Sequence, residues 1–159
     1  MKYFDIVSKK DEVVGKMTAK LCHADPSLIH RVVHFTLVDP KTKNVLITQR
    51  SFDVKFDSGK WCFMGEHVLS GDSYENALKR GVKDELGLEV KKYDELGSNI
   101  FSYATQTELV RFFLVNWDGS EIKPNSNEVI NIKWLSINEL KENKHDYSSM
   151  TKYWIETYF

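Results

Sequence analysis

The sequence predicts an α/β domain in which a mixed β-sheet is sandwiched by helices, formed by residues 1–159 as one unit. Three observations carry this expectation. Short apolar runs with period-two alternation lie on both sides of one long amphipathic segment, so strands flank a helix. That segment has its own start and stop signals. No stretch between the runs reads as a linker, repeat or low-complexity tract. Strands, one capped helix, more strands and terminal helices bury their apolar faces together as helices on a mixed sheet.

The elements follow in order. Tyr3 to Val7 and Val13 to Val14 flank the polar turn Ser8-Lys9-Lys10-Asp11, a short hairpin. His30 to Val38 is a strand with Val33, Phe35 and Leu37 on one face. The turn Asp39-Pro40-Lys41-Thr42 joins it to a second strand, Asn44 to Arg50, in a hairpin with a longer loop. Trp61 to Met64 is a short apolar run. Asp72 to Leu86 is a helix, opened by an Asp72/Glu75 capping box and stopped by Gly87. Glu108 to Trp117 and Val129 to Trp134 are strands. Ser136 and Glu139 make a second capping box before a short helix ending near Glu142, and Met150 to Tyr158 is a C-terminal helix.

Composition narrows the function. The chain is 42% hydrophobic and 28% charged, as expected of a globular protein. With 22 Lys plus Arg against 23 Asp plus Glu, the net charge of −1 excludes an electrostatic footprint for nucleic acid or a membrane surface. One locally basic pocket for a small anion remains compatible with that balance. Two cysteines, Cys22 and Cys62, make no disulfide framework. The N-terminal residues lack the apolar core of a signal peptide, and no apolar run approaches the ~20 residues of a membrane span. The expected location is the cytoplasm; monomer and homodimer both stay open.

The long helix carries the chemistry. Tyr74, Leu78 and Val82 form its apolar stripe. At 100° per residue, Glu85 falls inside that arc, and Asp84 at its edge. A buried unpaired carboxylate is costly, so Glu85 needs a cation or strong donors nearby. Gly81, one turn earlier on the same side, costs roughly 1 kcal/mol relative to alanine unless another group approaches closely there. Arg80 has Asp84 as an i, i+4 partner.

The stretch Glu66 to Asp72, continued by Arg80-Gly81-Val82-Lys83-Asp84-Glu85-Leu86-Gly87-Leu88, resembles the Nudix box. That motif is a glycine, a glutamate six residues on, then Arg-Glu-apolar-x-Glu-Glu-x-Gly-apolar. Arg80, Val82, Glu85, Gly87 and Leu88 match; Asp72 and Asp84 replace glutamates; Glu66 replaces the leading glycine and Gly81 the first glutamate of the helix. The resemblance implies the Nudix fold and a diphosphate substrate bound through Mg2+ or Mn2+. Carboxylates three and four residues apart share a helix face and hold a hard cation. A full box offers three, at 81, 84 and 85; here two remain, Asp84 and Glu85, which weakens the expected hydrolytic cluster.

The likeness extends to the isopentenyl diphosphate isomerase-like branch of that superfamily. It is carried by Gly15-Lys16-Met17-Thr18, His23, Leu28-Ile29-His30-Arg31, Ile47-Thr48-Gln49-Arg50-Ser51, Glu66-His67-Val68, Asn127-Glu128-Val129, Trp134, Thr151 and Trp154. It implies a divalent metal, zinc included, on His23, His30, His67 and Glu108. A second glutamate of that set falls on Gln106. Arg50, Lys55 and Arg31 are the implied diphosphate-binding cations. The catalytic cysteine of the isomerases falls on Gly65.

Three functions follow from these resemblances. In a hydrolase, Asp84 and Glu85 hold the cation while Glu108 or Glu128 orients or deprotonates water. The alternatives are an isopentenyl diphosphate isomerase, opposed by Gly65 and Gln106, and a weakly active module that binds a diphosphate metabolite.

Overall fold

A computed structural model describes residues 1–142 and 144–159. The strands are β1 (Tyr3–Val7), β2 (Val13–Thr18), β3 (Ile29–Val38), β4 (Val45–Arg50), β5 (Trp61–Cys62), β6 (Met64–His67), β7 (Tyr93–Ser102), β8 (Thr107–Asn116) and β9 (Val129–Leu135). The helices are α1 (Ala19–Cys22), α2 (Tyr74–Leu86), α3 (Ile137–Lys141) and α4 (Ser149–Tyr158).

β3 is the axis of the sheet. Along one side it pairs in parallel with β8 over its whole length. Along the other it meets β1, β6 and β4 in turn, all antiparallel. β7 extends the sheet beyond β8, and β9 and β5 extend it beyond β4. The β3–β4 hairpin expected from the sequence is therefore confined to one paired position, Val38 with Val45. Beyond it the strands diverge, because β3 is taken up by β6 and β4 by β9.

Period-two alternation sorts β3 into two cores. Val33, Phe35 and Leu37 pack with Leu78, Val82 and Leu86 of α2. Val32, on the opposite face, packs with Phe63, Phe112, Leu140 and Trp154, under α3 and α4. Helices thus cover both faces of a mixed sheet, as the element order implied.

Beyond the Trp61 to Met64 run, which resolves into β5 and the start of β6, two elements escape the sequence reading. β7 is an edge strand of sequence YDELGSNIFS, half-exposed and poor in strand-forming residues, and among the described residues it pairs with β8 alone. α1 is a single turn capped by Thr18. The start of α2 also needs correction: its N-cap is Ser73, whose side chain accepts from the Asn76 N–H, and not Asp72. Asp72 instead binds Arg80 at 2.7 Å. The stop at Gly87 (φ +69°) and the Ser136/Glu139 box are as expected.

Candidate functional site

α2 reaches the sheet at Gly81. A Cβ built there would lie 2.8 Å from the Glu66 Cβ and 2.8 Å from a Phe35 ring carbon. Close approach is thus the reason for the interior glycine. It lets the last turn of α2 settle on β6 and carry Glu85 to the rim of a cleft.

That cleft is lined by Thr48, Arg50, Cys62, Gly65, Glu85 and Glu128. Backbone bonds staple its walls: the Asn125 N–H donates to the Glu85 carbonyl at 2.9 Å, and the Ser51 N–H to the Glu128 carbonyl at 2.7 Å. Burial first, then Glu128 and Glu66 nearby, pushes the Glu85 carboxyl up to about 7, with Arg50 opposing the rise. Arg50 lines the same cleft but makes no ion pair with Glu85 among the described residues. Asp84 is exposed beside it.

A second cavity, enclosing about 240 Å³, shares Arg50, Cys62, Phe63 and Gly65 with the first and continues to Glu66, His67 and Glu108. At its far end His23, His30 and His67 converge, each offering a nitrogen within 4.8 Å of the others. The fold assembles them from three elements: His23 caps α1, while His30 and His67 lie on β3 and β6. His23 Nε2 and His67 Nε2 are 3.2 Å apart. Glu108, paired with His30 across the β3–β8 ladder, brings Oε1 to 3.8 Å from His30 Nε2 and 3.9 Å from His67 Nε2. Gln106 donates to that same oxygen at 3.2 Å.

His30 is fully buried, and neither of its ring nitrogens has a hydrogen-bond partner among the described residues. Burial, then the neighbouring imidazoles, pushes His30 down to about 4 and His67 to about 3. Near neutral pH the cluster therefore presents uncharged rings. Burial holds Glu108 up, at about 7. A tetrahedral zinc site with ~2.1 Å bonds spaces its donors roughly 3.4 Å apart, close to the separations here.

Two of the implied basic residues stand elsewhere. Arg31 alternates with His30 on β3 and so faces α2, away from the histidines; Asp11 holds it at 2.6 Å, with Arg111 and Tyr74 on the same carboxylate. Lys55 is exposed on the 51–59 loop, its Nζ 5.4 Å from the Phe56 ring centre. Arg50 remains in the cleft, its Nε donating to the Phe56 carbonyl at 3.0 Å. His34 accepts from Trp154 Nε1 at 2.9 Å and joins no metal-type cluster among the described residues. Arg80 pairs with Asp72 and donates to the His67 carbonyl at 2.7 Å, so its expected partner Asp84 is left to the rim. Thr48, from the segment that carried the resemblance, and Cys62, which no motif singled out, also line the cleft.

Comparison with known proteins agrees with this fold. A crystal structure of DR0079 from Deinococcus radiodurans superposes with a TM-score of 0.78 at 21% identity, over 99% of this chain and 100% of that one. The oxidized purine nucleoside triphosphate hydrolase of Danio rerio is 28% identical over 85 residues, 54% of each chain. An uncharacterized Nudix hydrolase of Nostoc sp. is 29% identical over 147 residues, 89% of this chain and 85% of its own. The chain spans about half the length of the first curated relatives it matches. The NUDIX domain family model matches residues 28–154, most of the chain, and the protein belongs to that family.

Proposed function

We propose that this protein hydrolyses a diphosphate bond in a small organic diphosphate or nucleotide, using Mg2+ or Mn2+. The observation that carries the reading is the placement of Glu85 against Glu128 in a cleft whose one guanidinium is Arg50. Two carboxylates facing one cleft, with Asp84 exposed alongside, form a hard oxygen donor set of the kind a divalent cation satisfies. Held by Asp84 and Glu85, the cation would neutralise charge on the diphosphate.

The chain's own groups do the rest. The planar fork of Arg50 grips phosphate oxygens in pairs. Glu128 orients the attacking water and takes its proton. The stapled walls keep these groups preorganised. The neutral histidines, with Glu108, suit zinc or manganese better than magnesium, and we assign them a second metal site, the feature shared with the isomerase-like branch. The isomerase reaction itself is disfavoured. Gly65 stands where the thiol is required, and burial pushes the Cys62 thiol up to about 11, leaving it protonated.

The test is phosphate or monophosphate release from a broad panel of diphosphates with Mg2+ or Mn2+. Glu85→Gln should abolish turnover, because a neutral amide is a poor ligand for a hard cation. Release that survives Glu85→Gln unchanged would rule out this cleft. Proton exchange into isopentenyl diphosphate without phosphate release would establish the isomerase instead, and saturable binding with neither reaction a sensor.

A further inference from the structure

Relative to the motif described above, residues 66 and 81 have exchanged their side chains. Glutamate stands where the motif has its glycine, and glycine where it has a glutamate. The two positions are far apart in the chain and touch in the fold. β6 pairs with β3 so that Glu66 lies opposite Val33, on the face that receives α2. There its Cβ is 2.8 Å from the place a Cβ of residue 81 would take. The contact has room for one of these side chains, and a second forces a shift in Glu66 or Phe35.

Glu66 starts from the spot where a side chain on residue 81 would start. It lines the wider part of the cleft. Its Oε1 is 3.9 Å from Arg80 Nε and accepts the His67 N–H at 3.1 Å, so it is anchored from one side only. The side chain is 21% exposed, enough for a ligand to reach the carboxylate.

We infer that Glu66 supplies, from the strand, the carboxylate that α2 lacks at position 81. The cation-holding set then comprises Glu66, Asp84 and Glu85 and is not depleted. This rests on the reading of the cleft as a diphosphate–cation site. It also means that Gly81→Glu alone restores nothing, since the new side chain meets Glu66 and Phe35.

The experiment is Mn2+ titration of the substrate-free protein, followed by electron paramagnetic resonance, with one equivalent of zinc present to fill the histidines. Glu66→Gln, equal in size, should bind Mn2+ about tenfold more weakly. The reciprocal double variant, Glu66→Gly with Gly81→Glu, should regain wild-type affinity, because it returns the carboxylate to the helix. Wild-type affinity in Glu66→Gln alongside weakened binding in Glu85→Gln overturns the role of Glu66 alone. Unchanged affinity in both variants overturns the cation site as well. A double variant that melts like the wild type yet binds no better than Glu66→Gln also overturns the inference.

Discussion

Asp11 shows how a single residue redirects the reading of its partners. It occupies the left-handed region at φ +64°, at the tip of the first hairpin. Its carboxylate takes Arg31 at 2.6 Å, Arg111 at 2.7 Å and the Tyr74 hydroxyl at 3.0 Å. The network ties the β1–β2 turn to β3, β8 and α2, and it consumes one of the arginines that the resemblance implied for substrate. Asp11→Asn removes the charge from three donors; a hydrogen bond to a charged group is worth ~1.5–3 kcal/mol, so urea denaturation should show a loss of about 3 kcal/mol at pH 7. Burial by itself would raise the Asp11 carboxyl, but Arg31, Tyr74 and Arg111 outweigh it and hold it below its ordinary value. The folded value lies below the unfolded one, so the contribution is present above about pH 3.9 and lost as pH falls through the folded value. The gap between wild type and Asp11→Asn should therefore narrow on acidification below pH 4. A gap of constant size would show that the charge plays no part.

At the scale of the element, α2 is the piece on which the site depends. Its boundaries are set by Ser73 at the start and Gly87 at the end. Ser73→Ala should cost about 1 kcal/mol in thermal or urea unfolding, the usual loss of a side-chain cap. Gly87→Ala should cost about 1–2 kcal/mol, since a Cβ is forced into the left-handed region and Lys123 Cβ lies 3.2 Å from it. Both changes should leave β-sheet circular dichroism intact, and Gly87→Ala, which frays the last turn that carries Glu85, should lower cation affinity more than Ser73→Ala. Sequence periodicity located this helix and the inward turn of Glu85. It placed the N-cap one residue early because Asp72 and Ser73 are both good caps, and only the pull of Arg80 on Asp72 decides between them. β7 stayed hidden for a different reason. An edge strand with one partner has one weakly buried face and so carries little hydrophobic pattern to read.

For the whole molecule, closure comes from the C-terminal segment. The Trp61 N–H donates to the Asp146 carbonyl at 2.8 Å, the Ser148 N–H to the Trp61 carbonyl at 3.0 Å, and the Phe63 N–H to Thr151 Oγ1 at 3.0 Å. α4 then lays Trp154, fully buried, against the sheet with its indole N–H on His34 Nδ1. Trp154→Phe leaves that nitrogen unpaired and should cost ~1–3 kcal/mol. Burial pushes His34 down to about 4, below its unfolded value of about 6.5. The associated stability is complete above pH 6.5 and declines as pH falls toward 4, by at most about 1.4 kcal/mol per pH unit. Urea midpoints between pH 7.5 and 4.5 should show a shallower decline in His34→Asn than in wild type; equal slopes would remove His34 from the account. The sequence by itself determined the sheet-and-helix class, α2 with its Gly87 stop, the inward placement of Glu85 and the candidacy of His23, His30, His67 and Glu108. The first three rest on short-range spacing, which secondary structure converts directly into a face; the candidacy of the three histidines and Glu108 came from the family resemblance. Only the tertiary structure decided that Arg50 enters the cleft while Arg31 and Lys55 stand outside it, that Glu128 meets Glu85, and that Glu66 abuts Gly81. Those relations depend on which strands pair and in what register, and register is set by long-range packing of both sheet faces at once.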